Sequence, residues 1–293
     1  GFFMTSLFGH THRMGGLNFC GCHLLSQASA GPAGGGSPTA AKAPVVLKGK
    51  KARVIDTHTH CFFQAGLDLM GAEAPSILPQ VKGVAEHFLD RADPLKDRLN
   101  AMDRMGVDVQ VVSPAPFQYY YFAPAKMGAE LARAVNEGIA KLVAQYPDRL
   151  VGMGTVPLQD GALAVRELEY AVNKLGLKGI EIGTNVAGKE LTDPSLKLEK
   201  FFKRAAELGV TLFMHPNGYT QAERLTDHYF NNVIGNPLDT TVAVSHLIFD
   251  GVMERNPKLK VLLAHAGGYL THYWARMDHV YGARPDGPCA IHM

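Results

Sequence analysis

Short apolar runs alternate with longer amphipathic stretches from Arg53 onward, and this alternation limits the fold more than any other feature of the sequence. The longer stretches space their apolar residues as helices do, and Leu95, Leu99 and Met102 are one example. Strands that alternate with helices are typical of a parallel sheet covered by helices. The predicted strands are residues 53–57, 107–113, 150–157, 179–183, 210–215 and 260–265, and the predicted helices are 94–105, 128–145, 161–175, 194–208 and 240–255.

Six strands in this order predict an α/β fold of the (β/α)8 barrel type, with an open, doubly wound sheet as the rival architecture. The rival fold binds phosphate with a glycine-rich turn after its first strand, and no such turn follows residues 53–57. Polar residues instead collect at the C-terminal ends of several strands, where barrels carry their active sites. The sequence therefore predicts a barrel, incomplete at the C-terminus because a full barrel has eight such units.

Residues 1–50 differ in composition from the rest, with frequent Gly, Ser, Ala and Pro and a low-complexity stretch at 28–44. We interpret them as a disordered leader or degraded signal segment before a barrel domain at 51–293. Three interpretations stay open: a cytoplasmic tail, an export signal with a cleavage site at residues 28–30, and a mis-assigned upstream extension. A cytoplasmic location is the prediction, and export by an N-terminal signal is its alternative.

Composition narrows the class of partner. The 29 Lys and Arg residues are balanced by 27 Asp and Glu residues without a basic block, so a nucleic acid is not expected as a partner. No run of about 18 apolar residues occurs, so no membrane span is expected. Four scattered cysteines do not make a disulfide framework. The expected partner is a small molecule.

Four histidines lie at or just beyond the ends of predicted strands. His58 and His60 follow the first strand two residues apart, so their side chains point to the same side. His215 ends the fifth strand and His265 ends the sixth. The C-terminal ends of barrel strands surround one point, so we expect the four imidazoles to meet there. Imidazole is the commonest metal-binding side chain, and the sequence therefore predicts a metal site.

The motifs around these histidines resemble the amidohydrolase superfamily, in its amidohydrolase-related family 2. The resemblance rests on residues 55–60, 213–216 and 264–268. Three further segments, at 146–152, 179–184 and 256–260, are similar to the branch that contains aminocarboxymuconate semialdehyde decarboxylase. The resemblance implies a TIM barrel of the metal-dependent hydrolase type.

The resemblance also implies roles for the four histidines. His58, His60 and His215 match the family's metal-binding histidines, and His265 matches its catalytic acid/base histidine. One divalent metal is implied as the cofactor, with zinc expected first and manganese as the alternative. Three nitrogen donors suit several ions, so the residues alone leave the metal open.

Two arginines are weaker matches. Arg98 and Arg276 are similar to arginines that hold substrate carboxylates in the decarboxylase, and the second of these reaches across a dimer. The planar guanidinium fork suits this task because it can bind a carboxylate through two hydrogen bonds. A solvated helix surface is the alternative for both residues. The resemblance therefore implies a small carboxylate as substrate and a homodimer as the assembly.

One departure from the family pattern concerns the metal site. The family's remaining ligand is an aspartate at the end of the eighth strand, and we find no counterpart. Asp278 falls in a helical segment and Asp286 lies among prolines and a glycine, so neither ends an apolar strand. The chain is therefore expected to be truncated before strands seven and eight.

Three interpretations of the activity follow. The branch-level resemblance favours non-oxidative decarboxylation of an unsaturated or aromatic carboxylic acid. Hydrolysis of an ester, lactone or amide is the alternative, since a bound metal would serve either reaction. The third interpretation is a catalytically incompetent truncated barrel. The aromatic run at 117–122 is expected to line the substrate pocket or to pack as a loop.

Overall fold

Six parallel strands form one sheet, in which they lie side by side in the order of the chain. The computed structural model describes residues 44–71 and 94–284. The sheet is curled, since the ring of His58 on the first strand lies 5.5 Å from that of His265 just after the last strand. This architecture confirms the predicted barrel-type α/β fold. The strands are β1 (Ile55–Cys61), β2 (Val109–Pro114), β3 (Leu150–Gly154), β4 (Gly179–Ile182), β5 (Thr211–Met214) and β6 (Lys260–Leu263).

Helices connect successive strands, as the predicted alternation requires. The first helical connection includes residues outside the described ranges. The helices are α1 (Gln64–Met70), α2 (Pro94–Met105), α3 (Ala125–Gln145), α4 (Gly161–Glu169), α5 (Glu199–Leu208), α6 (Asn236–Phe249), α7 (Val252–Arg255) and α8 (Leu270–Ala283).

Two strand predictions were wrong in extent. The prediction ended the first strand at Thr57, but β1 runs on to Cys61, which pairs with Pro114 of β2. The third strand was predicted over 150–157, but it ends at Gly154. The backbone of the next residue, Thr155, forms hydrogen bonds with the Asn136 side chain and not with a neighbouring strand. Oδ1 of Asn136 accepts from the Thr155 amide at 2.7 Å, and its Nδ2 donates to the Thr155 carbonyl at 2.8 Å.

Two helix predictions were wrong because residues with positive φ divide them. The predicted helix 194–208 breaks at Lys197, whose φ is 56°, so that a 3₁₀ turn at Pro194–Leu196 precedes α5. The predicted helix 240–255 starts earlier, at Asn236, and breaks at Gly251, whose φ is 76°. The helix predicted over 94–105 has those bounds in the structure.

The hydrophobic core has two parts. The larger part lies between sheet and helices, where α3 contributes Leu131, Val135 and Ile139, each fully buried. A smaller cluster fills the concave side of the sheet. Its buried members are Val111, Met153, Phe213 and Ala264. This inner cluster lies beside the histidines, since the Phe213 and His58 ring centroids are 5.1 Å apart.

The two ends of the sheet are less covered than its centre. Among the residues that the structure describes, no strand pairs with the outer edge of β1 or of β6. Ile55 on β1 is 52% exposed. Helix α8 buries none of its residues, and its Trp274 is 65% exposed.

Most of the predicted leader lies outside the described residues. Its last part, from residue 44, belongs to a small antiparallel hairpin of Val46–Leu47 and Lys50–Lys51. Asp286, which was considered as a metal ligand and rejected because it does not end an apolar strand, also lies outside the described ranges. No helix within 44–71 or 94–284 is both long and apolar enough to cross a membrane. The cytoplasmic location and the role of the leader stay predictions.

Candidate metal centre

The curled sheet brings the four histidines together at the C-terminal ends of three strands. The ring centroid of His215 lies 4.9 Å from that of His58, 4.8 Å from that of His60 and 4.8 Å from that of His265. His58 and His60 are 5.1 Å apart, because residues two apart on β1 share a face. The four imidazoles therefore meet, as their positions at strand ends predicted.

Two backbone carbonyls fix the orientation of the buried imidazoles. Nδ1 of His60 lies 3.0 Å from the Pro114 carbonyl, and Nδ1 of His215 lies 2.7 Å from the Pro216 carbonyl. A carbonyl oxygen only accepts, so each Nδ1 carries the hydrogen and each Nε2 keeps its lone pair. This is the tautomer that binds a metal through Nε2.

The environment keeps His215 neutral. Burial lowers the pKa of His215 well below its ordinary value of 6.5, and the neighbouring His60, His58 and His265 lower it further. Nε2 of His215 and Nε2 of His58 are buried and have no hydrogen-bond partner. Buried polar atoms are normally satisfied, so these lone pairs indicate a ligand. The donor set therefore fits a divalent metal ion.

Glu181 is a member of this site that the sequence analysis missed. It lies on β4, its side chain is fully buried, and its Oε2 is 3.6 Å from Nδ1 of His60. The hydroxyl of Tyr119 donates to its Oε1 at 2.5 Å. Potential ligand atoms lie within 4.8 Å of one another in two triads, which share one histidine: His58, His215 and His265 in one, and His60, Glu181 and His215 in the other.

A signal for Glu181 is present in the sequence. The segment 179–183 is apolar except for this glutamate, which is flanked by two isoleucines. Carboxylates are rarely buried unless they are paired, so a lone glutamate in an apolar strand indicates a special environment. Alternation places it on the concave face with Phe213, its register partner on β5.

His265 lies on a strained turn directly after β6. Its φ is 51° and that of Ala266 is 56°, so two successive non-glycine residues are left-handed. Such conformations are costly and cluster at functional sites. Gly268 ends the turn in close contact with α6, since a Cβ there would lie 2.2 Å from the Pro237 carbonyl. The turn directs the half-buried imidazole of His265 toward the cluster.

Arg98 binds the backbone of the strand that carries His58 and His60. Its guanidinium donates to the His60 carbonyl at 2.7 Å, to Gln110 Oε1 at 3.1 Å and to Thr59 Oγ1 at 3.4 Å. The side chain of Thr59 points to the face of β1 opposite to His58 and His60. Arg98 therefore lies between α2 and the sheet, where it anchors β1, and its role in holding a substrate carboxylate stays a prediction.

Arg276 lies apart from the histidines of its own chain. It is exposed on α8 and lines a cavity of about 520 Å³ between α8 and α6. Tyr273, Met277 and Ser245 also line this cavity. The role of Arg276 in substrate binding across a dimer stays a prediction.

The aromatic run at 117–122 both packs and lines a cavity. Its residues border a cavity of about 440 Å³ together with Thr184, Asn185 and Asn217. Tyr119 is buried, and its hydroxyl lies 3.3 Å from the His215 carbonyl. This cavity therefore adjoins the histidine cluster, while Phe122 at its rim is 56% exposed.

Comparison with known proteins gives a family match over most of the chain. A sequence model of the amidohydrolase family matches residues 55–285. The 2-amino-3-carboxymuconate-6-semialdehyde decarboxylase of Dictyostelium discoideum is 37% identical over 194 residues, which are 66% of this chain and 53% of that protein. The protein of the same name from Caenorhabditis elegans is 28% identical, over 66% of this chain and 61% of its own length. The chain thus spans between half and two thirds of the length of these relatives.

Solved structures share the fold. The 5-carboxyvanillate decarboxylase of Sphingomonas paucimobilis superposes with a TM-score of 0.72 at 25% identity, covering 80% of this chain and 73% of that one. A dihydroxybenzoic acid decarboxylase from Polaromonas sp. JS666, solved with bound manganese, gives a TM-score of 0.66 at 24% identity over 80% and 73% of the two chains. The six-stranded sheet of this chain and its helices therefore share the fold of the matched parts of these structures.

Proposed function

The chain belongs to the amidohydrolase family, and from this membership and its histidine cluster we propose that it is a metal-dependent, non-oxidative decarboxylase of an unsaturated or aromatic carboxylic acid. The observation that carries the proposal is the meeting of four imidazoles with unused, inward-facing lone pairs on His58 and His215. The relatives named above are decarboxylases, which favours this reaction over hydrolysis.

His58, His60 and His215 are proposed to hold the ion, which when bound supplies a Lewis acid for a substrate oxygen. Zinc and manganese both suit these nitrogen donors, and the dihydroxybenzoic acid decarboxylase contains manganese. His265 is proposed as the acid. The bond between the substrate carbon and its carboxylate breaks, carbon dioxide leaves, and the electron pair left on the carbon takes a proton from His265. Solvent then returns a proton to His265.

The adjoining aromatic cavity supports a planar substrate. Phe117 and Tyr121 give it flat apolar surfaces, and Asn185 and Asn217 give it polar groups. Its volume of about 440 Å³ falls in the range of small-molecule sites. We therefore propose an aromatic or conjugated acid.

The test is release of carbon dioxide from 2,6-dihydroxybenzoate and 5-carboxyvanillate by protein loaded with zinc or with manganese. Decarboxylation is expected with one of the two metals and not after chelation. His265→Asn is the matched variant: it should keep the bound metal and lose turnover by about 10²- to 10⁴-fold. A folded chain that binds metal but consumes an ester, lactone or amide instead would favour hydrolysis. A folded chain that binds no metal would support the incompetent barrel.

A homodimer is proposed from the same family resemblance. Helix α8 presents Tyr273, Trp274 and Arg276 outward, and the first two are 54% and 65% exposed. Large exposed aromatic side chains next to one another indicate an interaction surface. In such a dimer Arg276 would reach the site of the partner subunit and bind the substrate carboxylate.

A further inference from the structure

Within residues 44–71 and 94–284, the buried carboxylate of Glu181 has a histidine, His60, as its ion-pair partner and no lysine or arginine. Its Oε1 accepts from Tyr119, and its Oε2 makes no hydrogen bond. Among the described residues, no lysine or arginine forms an ion pair with it; its nearest basic atom is Nδ1 of His60 at 3.6 Å. Burial of an uncompensated carboxylate is costly, so a fully buried one is normally paired or bound to a metal.

Glu167 shows how the same fold treats an ordinary buried carboxylate. It is 1% exposed, and the guanidinium of Arg133 binds both its oxygens at 3.0 and 2.9 Å. Arg166 adds a further contact at 3.0 Å. Glu181 is buried as deeply and faces imidazoles instead of guanidinium groups. A bound cation would give Glu181 the positive charge that Glu167 receives from its arginines.

The geometry around His215 limits that ligand to a single ion. Nδ1 of His215 donates to the Pro216 carbonyl, which leaves Nε2 as its one free lone pair. One lone pair binds one metal ion, although His215 belongs to both triads. Potential ligand atoms of His60 and Glu181 lie within 4.8 Å of one on His215, and so do those of His58 and His265.

We propose that Glu181 is an oxygen ligand of the divalent ion at this site, in addition to the three histidines. The inference rests on the proposed function, since it concerns the same ion. It gives the site three neutral nitrogens and one anionic oxygen, and it leaves His265 available as the acid. Tyr119 is then a positioning residue, because its hydroxyl holds the other carboxylate oxygen.

Oxygen ligation has a consequence for metal preference. Carboxylate is a hard donor that suits manganese, whereas imidazole suits zinc. Removing the carboxylate should therefore weaken manganese binding more than zinc binding. A glutamate that only oriented His60 would affect both ions alike, because it would act through the imidazole.

The test measures metal binding and the cobalt absorption spectrum of Glu181→Gln, which keeps the shape and removes the charge. We expect manganese affinity to fall by more than about tenfold, zinc affinity to fall less, and the d–d bands of bound Co²⁺ to change in position and intensity. Glu167→Gln is the matched control, since it also removes a buried carboxylate but should leave the cobalt spectrum unchanged.

The outcomes separate this inference from the proposed function. Wild-type protein that is folded and binds no metal would overturn both. Wild-type protein that binds metal while Glu181→Gln has the same cobalt spectrum and the same ratio of manganese to zinc affinity would overturn only the ligand role of Glu181. If Glu181→Gln does not fold, Glu181→Asp answers the same question, because its shorter side chain withdraws the oxygen and should also change the cobalt spectrum.

Discussion

At the scale of single residues, two proline carbonyls set the chemistry of the histidine cluster. Pro114 and Pro216 each accept the Nδ1 hydrogen of a buried imidazole. The side chains of the two prolines take no part in these bonds, because each acceptor belongs to the backbone. Strand geometry therefore helps to set the tautomers of His60 and His215.

The neutral state of His215 predicts a pH-dependent stability of the metal-free protein. The folded pKa lies well below 6.5, so below pH 6.5 the unfolded chain binds a proton that folded His215 does not. The free energy of unfolding should therefore fall as the pH falls through 6.5, with a contribution of at most about 1.4 kcal/mol per pH unit. Urea unfolding with a chelator present, between pH 7 and pH 5, measures this slope. His215→Asn should have a shallower slope, and equal slopes in both proteins would contradict the assignment.

The sequence predicted the histidines but not Glu181 or the position of Arg98. His58, His60, His215 and His265 could be predicted because strand ends in a parallel sheet meet at one edge. For Glu181, alternation predicts the face of the sheet on which its side chain lies. It does not predict how far along the sheet the side chain lies relative to the histidines, which depends on the pairing of Glu181 with Phe213. Sequence alone does not provide that register.

At the scale of secondary-structure elements, Arg98 joins helix α2 to strand β1. Helical periodicity indicates which side of α2 it occupies, but it does not tell on which side of the sheet that helix packs. The guanidinium donates to the carbonyl of His60 from the helix-covered face of the sheet. Arg98 is thus connected to the histidine cluster through the strand that carries His60.

Arg98→Ala should therefore affect stability more than substrate binding. The loss of a buried charged donor leaves the His60 carbonyl without this partner, and we expect the free energy of unfolding to fall by about 2–3 kcal/mol. Arg104→Ala, on the exposed face of the same helix, is the matched control and should change it by less than about 0.5 kcal/mol. Chemical denaturation measures both. If Arg98→Ala instead raised KM for the carboxylate substrate strongly and left stability unchanged, the predicted role of Arg98 in substrate binding would be supported.

The turn after β6 predicts a contrast between two neighbouring glycines. Gly268→Ala would place a Cβ 2.2 Å from the Pro237 carbonyl at a φ of 63°, so we expect a loss of about 3 kcal/mol and displacement of His265. Gly267→Ala has a φ of 80° but its nearest side-chain neighbour, Leu263, is 3.5 Å away, so the loss should be about 1 kcal/mol. Thermal unfolding and decarboxylation rates of the two variants test this contrast. Equal effects would show that the contact with α6 does not hold the turn.

At the scale of the whole molecule, the exposed aromatic face of α8 is where the proposed homodimer can be tested. Trp274→Glu should convert a dimer to monomers in sedimentation velocity, because a charge at the centre of an apolar contact is costly to bury. Tyr229 is also an exposed aromatic residue but does not belong to α8. Tyr229→Glu is therefore the control and should leave the assembly unchanged. A wild-type protein that sediments as a monomer at high concentration would contradict the proposed assembly.

The general architecture could be predicted because each strand and each helix carries its own periodicity. What could not be predicted is where elements end, because those ends depend on contacts from elsewhere in the chain. Asn136, on α3, terminates β3 by binding Thr155, a contact between residues of two different units. Similarly, the left-handed Lys197 divides a stretch whose apolar spacing is helical throughout.

The proposed metal site combines residues from the first strand and from just after the last of the six. His58 and His265 are separated by more than 200 residues of sequence, yet their rings lie 5.5 Å apart. Strand pairing within the sheet can begin as soon as neighbouring units have been synthesised, since each strand pairs with the next one along the chain. The histidine cluster, and with it the proposed metal site, cannot form until β5 and β6 have left the ribosome and the sheet has curled. Metal uptake is therefore expected to be among the last steps of folding, and its rate should report the closing of the sheet.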